Sequence, residues 1–368
     1  MRIACGLDGG DGPAEIANLV GWGADEFFAG YVPRQWSEFY GWEIGLNRRT
    51  FGATCQYTTA ESLKEAIDAV HRQNRRIAIT FNAHDYSQAQ VPFLQNIVEE
   101  TERMNPDAYI VADPAFIQLL KSWGVSRPLH LSTGVGCYNS ESVRFFLETA
   151  PVRRTVIPRK MSLQEMETFI HRLNDTDVEY EVMIIGYRCI FNDEFCFSWH
   201  TGAEMNLCSW FVSADSVTTD RFPDDWKDTV DEIVRNPQEQ VHANSTLDNF
   251  LRRNQRSKSE KIRIPYPAKD SDEGMTATLA NKLINNCGLC AIPRLKKIGV
   301  DVLKVPVRGH AGQKRLFLQL VRKVVDHPDP TPDYCRKLLN SPEFCSTPGS
   351  CYYEIGKQQN GGAGTTDP

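Results

Sequence analysis

The chain has 368 residues, room for one large domain or two modest ones, and 41% hydrophobic residues, enough for a full core. A net charge of -6 on a mixed composition carries no electrostatic signature of a nucleic-acid binder, and no apolar run approaches the roughly 20 residues that span a bilayer. The opening Met1-Arg-Ile-Ala-Cys-Gly6 has neither the charged nor the apolar region of a secretory leader, so a cytoplasmic protein without a membrane span is expected.

Short apolar runs alternate with helical patterns along most of the chain. Strands are predicted over 2–7, 26–31, 77–82, 109–113, 129–133, 155–158, 181–186 and 302–307. Helices with a 3.6-residue apolar rhythm lie between them, among them 61–70 and 163–170, the second opened by the N-cap candidate Ser162. Eight strands separated by helices predict an α/β fold, a parallel (β/α)8 TIM-type barrel. Parallel strands need crossovers, and closing the sheet removes its edges. An open doubly wound sheet is the competing arrangement. No Gly-rich dinucleotide fingerprint follows the first strand, and Gly9-Gly10-Asp11-Gly12 reads as a βα turn.

The rhythm stops after the seventh strand. Residues 187–286 are polar and aromatic, include the basic stretch 251–263, and form an insertion far longer than an ordinary βα connection. Barrel and insertion together occupy 1–326. A Pro-rich connector from His327 then leads into a cysteine-containing extension over 327–360, and the Gly-rich 361–368 is expected to be disordered.

Eleven cysteines in a reducing compartment call for something other than disulfides. Cys5, Cys55 and Cys137 are scattered and read as small buried hydrophobes. Cys189, Cys196 and Cys208 instead follow the seventh strand directly, and Cys287-x2-Cys290 precedes the last helix–strand unit. Their spacing is too irregular for a zinc ribbon and lacks the ferredoxin run, but it suits a cluster held from separate loops. Phe195, Phe197, Trp199 and Trp210 could make the dry shell around it. Cys290 or Cys287 would supply a fourth ligand. For Cys335, Cys345 and Cys351 in the tail, a second metal site, a lid and incidental thiols are all open.

In such a barrel the carboxyl ends of the strands share one mouth. Those ends carry Asp8, Asn82, Asp113, Ser132 with Thr133, Arg159 with Lys160, and Arg308 with His310, while His84 and Asp85 follow the third strand closely. Taken singly, such residues are what helix N-caps place there anyway. Taken together they suit an anionic small molecule, with Asn82, Ser132, Arg159 and Arg308 binding it. Arg159 and Arg308 would grip carboxylates, and His84, Asp113 and His310 would move protons.

A series of phrases adds a resemblance. Gly23-Ala-Asp-Glu-Phe-Phe-Ala-Gly30, Leu46-Asn-Arg-Arg49, Ile79-Thr-Phe-Asn82, Ile110-Val-Ala-Asp-Pro114 and Leu129-His-Leu-Ser-Thr133 with Tyr138-Asn139 occur in that order. Val156-Ile-Pro-Arg159, Gly186-Tyr-Arg-Cys189 and Ile298-Gly-Val-Asp-Val-Leu-Lys-Val305 complete it. Over roughly residues 1–325 the series resembles peptidase family U32. That resemblance implies oxygen-independent hydroxylation rather than proteolysis, a 4Fe–4S cluster on four cysteines, and prephenate as a carboxylate-bearing oxygen donor. It implies ubiquinone precursors or RNA bases as substrates and, for the ubiquinone type, a homologous barrel subunit as partner. Carried over, Cys189, Cys196 and Cys208 fall on the first three ligand positions and Cys290, with Cys287 competing, on the fourth. Asn139 joins the substrate-binding set. The family's closing phrase reads Lys304-Val-Pro-Val-Arg308 here, without its Glu but with Arg308 kept.

The leading expectation is therefore an iron–sulfur enzyme that hydroxylates a small molecule in a biosynthetic pathway. RNA-base hydroxylation is the alternative that the basic stretch keeps open. A peptidase would need a His-Glu-x-x-His helix, absent here, or a cysteine–histidine pairing, for which the chain shows no local candidate. A non-catalytic cluster-bearing subunit is the third alternative.

Overall fold

A computed structural model describes residues 1–41, 45–50, 55–186, 192–196, 200–201, 286–308, 311–346 and 350–353. Eight parallel strands close into a barrel: β1 (Arg2–Gly6), β2 (Glu26–Gly30), β3 (Arg76–Phe81), β4 (Ala108–Val111), β5 (Leu129–Leu131), β6 (Val152–Val156), β7 (Glu179–Met183) and β8 (Val302–Val305). Each pairs with its neighbours in chain order, and β8 closes on β1 with Arg2 opposite Val302 and Cys5 opposite Val305. The helices α1 (Pro13–Gly21), α2 (Ala60–Arg72), α3 (Val91–Met104), α4 (Pro114–Ser122), α5 (Ser140–Thr149), α6 (Leu163–His171), α7 (Ile292–Lys297) and α8 (Ala311–Asp326) follow the strands in turn. The predicted barrel is the observed one. The sixth strand starts at Val152 rather than at 155, beside an irregularity in its register with β5.

Local sequence explains the helix starts. Thr59 caps α2 by accepting from Ser62 N at 3.2 Å. Ser162 and Glu165 form a capping box on α6, with Ser162 N donating to Glu165 Oε2 at 2.6 Å.

Alternation along the strands sorts the core into two layers. Ile3, Phe27, Ile79, Tyr109, Leu131 and Leu303 join the large apolar layer beneath the helices. Inside the barrel a small cluster of Phe28, Ala78, Ala108 and Ile110 sits beside a layer of buried charge. Arg154 reaches Glu181 Oε2 at 2.8 Å and Glu179 Oε2 at 2.7 Å, and it also pairs with Glu26. Lys304 Nζ lies 2.5 Å from Glu181 Oε1 and over the Phe28 ring. These groups line a cavity of about 290 Å³ together with Arg76, Asp107 and Pro128, residues at or just before the starts of their strands. In barrels of this type that end serves stability, whereas the opposite mouth carries chemistry.

Burial penalises the Glu181 carboxylate most, yet the Lys304 and Arg154 charges outweigh it and hold the group at about 2. Burial, then the Arg154 charge, pushes the His130 imidazole well below its usual range. Both shifts have the same sign for stability. The unfolded chain takes up these protons at higher pH than the fold does, so acid favours unfolding. His130 begins to lose its contribution as pH falls below 6.5, and Glu181 loses its own between 4.5 and about 2. The urea midpoint is expected to fall in these two stages on acidification. A midpoint that rises between neutral and mildly acid pH would contradict the buried charge layer.

After α8 the chain continues through α9 (Pro332–Leu339) and α10 (Pro342–Ser346). A short antiparallel ladder of Ile185–Gly186 with Asn286–Cys287 joins the two ends of the insertion. The tail returns to the same place, where Tyr353 Oη donates to Met183 O at 2.7 Å. Most of 187–286, and all of 354–368 with its predicted disordered end, lie outside the described residues. No helix among the described residues is long and apolar enough to cross a membrane.

Candidate functional site at the barrel mouth

Three loops meet over one side of the mouth. Arg159 follows β6, Arg48 comes from the connection after β2, and Asp193 lies on a short turn, Asp193–Phe195, that packs against the turn Thr133–Val135 after β5. Arg159 Nε donates to Asp193 Oδ2 at 2.8 Å and its Nη2 to Oδ1. Arg48 Nη1 donates to Asp193 O at 2.8 Å and to Oδ1 at 3.2 Å. Burial is the largest influence on this carboxyl and opposes its ionisation. The charge and hydrogen bonds of Arg159, then Arg48 and the Thr133 hydroxyl, nevertheless hold it at about 2. Arg159 thus grips a carboxylate, as its position suggested, but one belonging to the chain. Two guanidiniums share this one carboxylate.

Beneath this clamp the structure brings Asn82 and Ser132 together. Asn82 Nδ2 donates to Ser132 Oγ at 3.3 Å, Ser132 Oγ also accepts from Gly134 N at 3.3 Å, and Asn82 Oδ1 accepts from Arg48 N at 3.3 Å. His84 packs against Gly134, where an added Cβ would lie 3.3 Å from its ring. Burial and then the Arg48 charge lower its imidazole to about 4, so it is neutral at physiological pH. Its Nε2 is buried and has no hydrogen-bond partner among the described residues. A neutral imidazole with an uncommitted nitrogen can accept or pass a proton.

Two expected site residues are placed differently. Asp113 caps α4: Oδ1 accepts from Ala115 N at 2.8 Å and Oδ2 from Tyr86 N at 3.2 Å, so backbone donors engage both oxygens. Burial raises its pKa against those bonds. Asn139 is exposed and caps α5, its Oδ1 accepting from Ser142 N at 2.9 Å.

Arg308, just past β8, sits against the end of β2 beside Asn47 and is 5% exposed. Its Nη1 donates to Cys55 O at 3.5 Å, and among the described residues its Nε has no partner and no carboxylate stands within ion-pair reach. Burial accordingly lowers its pKa. Two glycines make room for it. A Cβ on Gly6 would lie 2.8 Å from Arg308 Cγ, and one on Gly30 2.7 Å from its Nη1. Asp8 attracts it from beyond ion-pair reach, and a buried cation with no direct carboxylate partner among the described residues favours the arrival of an anion.

Nearby, the fully buried Lys314 of α8 sits 2.7 Å from Asp8 Oδ2 and 2.6 Å from Asp11 Oδ2. Asp8, legible in the sequence as a mouth residue, is therefore engaged by a lysine that was not. Asp193 and Arg48 were also missed. Asp193 stands between two of the candidate cluster cysteines and Arg48 inside a family phrase, so each carried a faint signal. Lys314 carried none.

Of the expected thiolates at the mouth, Cys196 is described. It follows the Asp193–Phe195 turn, is buried, and forms no disulfide. A thiolate is a chemically suitable cluster ligand, and this one follows a turn pinned at the mouth by two arginines. Cys189, Cys208 and His310 lie outside the described residues.

Comparison with known proteins now has a geometry to refer to. The tRNA hydroxylation protein P of Escherichia coli K12 is 23% identical over 286 residues, covering 72% of this chain and 58% of that protein. Its namesake in Helicobacter pylori J99 is 29% identical over 131 residues, covering 36% of this chain and 30% of that protein. The chain thus spans between 30% and 58% of the length of these relatives. Among solved structures the U32 peptidase Mk0906 aligns with a TM-score of 0.37 at 11% identity, over 50% of this chain and 69% of that one. Residues 14–209, more than half of the 368, match the family described as peptidase family U32, and the chain belongs to that family.

Proposed function

We propose that the protein is a hydroxylase of RNA bases with an iron–sulfur cluster at the barrel mouth. The observation that carries the chemistry is Arg308, a buried cation with no carboxylate partner among the described residues. It is suited to a carboxylate of an organic oxygen donor. RNA as the acceptor rests on the relatives, whose names record tRNA hydroxylation. The small-molecule expectation came from the acidic net charge, which sums the whole surface and does not describe the locally cationic clamp of Arg48 and Arg159.

Hydroxylation places one oxygen atom into a C–H bond. The base is oxidised by two electrons, and the donor gives up that oxygen and is reduced by two. A 4Fe–4S cluster on Cys189, Cys196 and Cys208, with Cys290 or Cys287 as the expected fourth ligand, would supply electron transfer when bound. Arg308 binds the donor's carboxylate, His84 holds or moves a proton at Nε2, and Asn82 with Ser132 orients the acceptor.

The test uses protein purified without oxygen, given bulk RNA and an organic acid donor, with nucleosides read by mass spectrometry. A donor-dependent nucleoside heavier by one oxygen is expected, and His84→Ala should slow its formation by about 10²-fold or more. RNA retention should fall steeply with salt, as phosphate contacts require. Full activity in iron-free protein, or oxygen transfer to a small acceptor with RNA untouched, would sink this reading.

A further inference from the structure

Five arginine and lysine side chains are buried among the described residues: Arg154, Arg159, Lys304, Arg308 and Lys314. Four of them rest on carboxylates. Arg154 and Lys304 meet Glu181, Arg159 meets Asp193, and Lys314 meets Asp8 and Asp11. Arg308 has amides beside it instead. An ideal Cβ on Gly30, at the end of β2, would overlap Gln56 Oε1 and lie 2.7 Å from Arg308 Nη1 and 2.9 Å from Asn47 Nδ2. Three polar ends thus converge on one point, and only glycine at position 30 leaves them room.

The amides satisfy each other. Asn47 Nδ2 donates to Gln56 Oε1 at 2.9 Å and Gln56 Nε2 to Asn47 Oδ1 at 3.2 Å, with both residues at most 1% exposed. Such a reciprocal pair takes one donor and one acceptor from each side chain, so it carries no charge that could neutralise Arg308. Backbone bonds fix where it sits. Tyr57 N donates to Gly30 O at 2.9 Å and Val32 N to Tyr57 O at 2.9 Å, which ties the segment holding Gln56 to the end of β2. Arg48, the residue after Asn47, is held through its backbone by Asn82 and through its side chain by Asp193. Both neighbours of Arg308 are therefore anchored.

We propose that the Asn47–Gln56 pair is a specificity-determining element of the barrel mouth: it keeps neutral groups where aspartate and glutamate would fit, so that the charge of Arg308 stays available to a carboxylate on a ligand. The inference rests on the anion-binding reading given above. Glutamate has nearly the shape of glutamine, and at position 56 it would set a negative oxygen next to Nη1. That oxygen would do for Arg308 what Asp193 does for Arg159, and a ligand would then have to displace an ion pair already made. The other four buried cations are packed and paired at once; here the amides give packing without pairing. Asp8, which acts on Arg308 from a distance, is itself held by Lys314 at 2.7 Å. Asn47 and Gln56 act through Arg308 and need not touch the ligand.

The test compares the full chain with Gln56→Glu, Gln56→Met and Arg308→Met, using sodium malonate as the carboxylate probe against sodium chloride at equal ionic strength. Malonate is expected to raise Tm saturably in wild type and in Gln56→Met. It should act on Gln56→Glu only at tenfold higher concentration or more, and not at all on Arg308→Met. Lost packing would weaken the methionine and glutamate variants alike, so only charge separates them. Urea unfolding gives a measurement without ligand: Gln56→Glu should lower the midpoint less with Arg308 present than in the Arg308→Met background, because the new carboxylate has its partner only in the first. Equal shifts in the two backgrounds, or a Gln56→Glu protein that responds to malonate as wild type does, overturns the proposal. Should Gln56→Glu not fold, Asn47→Asp takes its place, because Asn47 Nδ2 borders the same point. A wild type indifferent to malonate removes the anion reading and this proposal with it, whereas a responsive wild type beside an equally responsive Gln56→Glu removes only the role of the amides.

Discussion

Arg308→Met is expected to raise the urea midpoint of the free protein while lowering kcat/KM for the oxygen donor by about a hundredfold or more. Burying a charge that has no direct ion-pair partner costs desolvation energy, which an apolar side chain of similar length avoids. The lost hydrogen bond to Cys55 O is long at 3.5 Å, and the lost attraction to Asp8 acts from beyond ion-pair reach, so neither cancels that gain. In the donor complex the sign reverses. There the methionine leaves a carboxylate buried against Gly6 and Gly30 without its cation, a loss of about 2–5 kcal/mol in comparable charge pairs. Equilibrium unfolding and steady-state kinetics on the same preparation separate the two effects. A variant that is less stable yet fully active would make Arg308 a structural cation and remove the main support for an anion at the mouth.

Arg154→Met should behave in the opposite way. Glu26, Glu179 and Glu181 all rest on this guanidinium, and Glu181 and Glu26 are buried. Withdrawing the cation leaves like charges facing one another inside the barrel, with an expected loss of about 3–5 kcal/mol. The loss should shrink as pH falls below about 4.5, where these carboxylates can take up protons. Adding Glu181→Gln should restore part of it at neutral pH. Donor affinity should be little altered, because the charge layer sits at the end of the barrel away from the mouth. An Arg154→Met protein as stable as wild type would show that the layer is solvated through the adjoining cavity.

The barrel was legible because its outward-facing strand residues are large and apolar and its helices begin with recognisable caps. What the strands hold inside was not. Glu26, Glu181 and Lys304 alternate with apolar neighbours as solvent-facing residues of an open sheet would, and only closure turns that face into an interior. Strand ends located Asn82, Ser132, His84, Arg159 and Arg308 at the mouth. The same reasoning marked Asp113, and the family resemblance marked Asn139, where the structure shows caps: a short polar side chain at the start of a helix looks alike in either role. Asp193 enters from the insertion and Lys314 from a helix 303 residues beyond its partner Asp11, distances over which no local pattern operates.

β8 is the only link between β7 and β1, and it lies beyond the 187–286 insertion. Until it docks, the first seven strands form an open sheet with two exposed edges, a template for pairing with another chain. Arg308 and the thiols of α9 and α10 arrive on the same final stretch. During synthesis, then, the sheet stays open until residues beyond 302 emerge. Yield in cells should depend on how quickly the last portion leaves the ribosome.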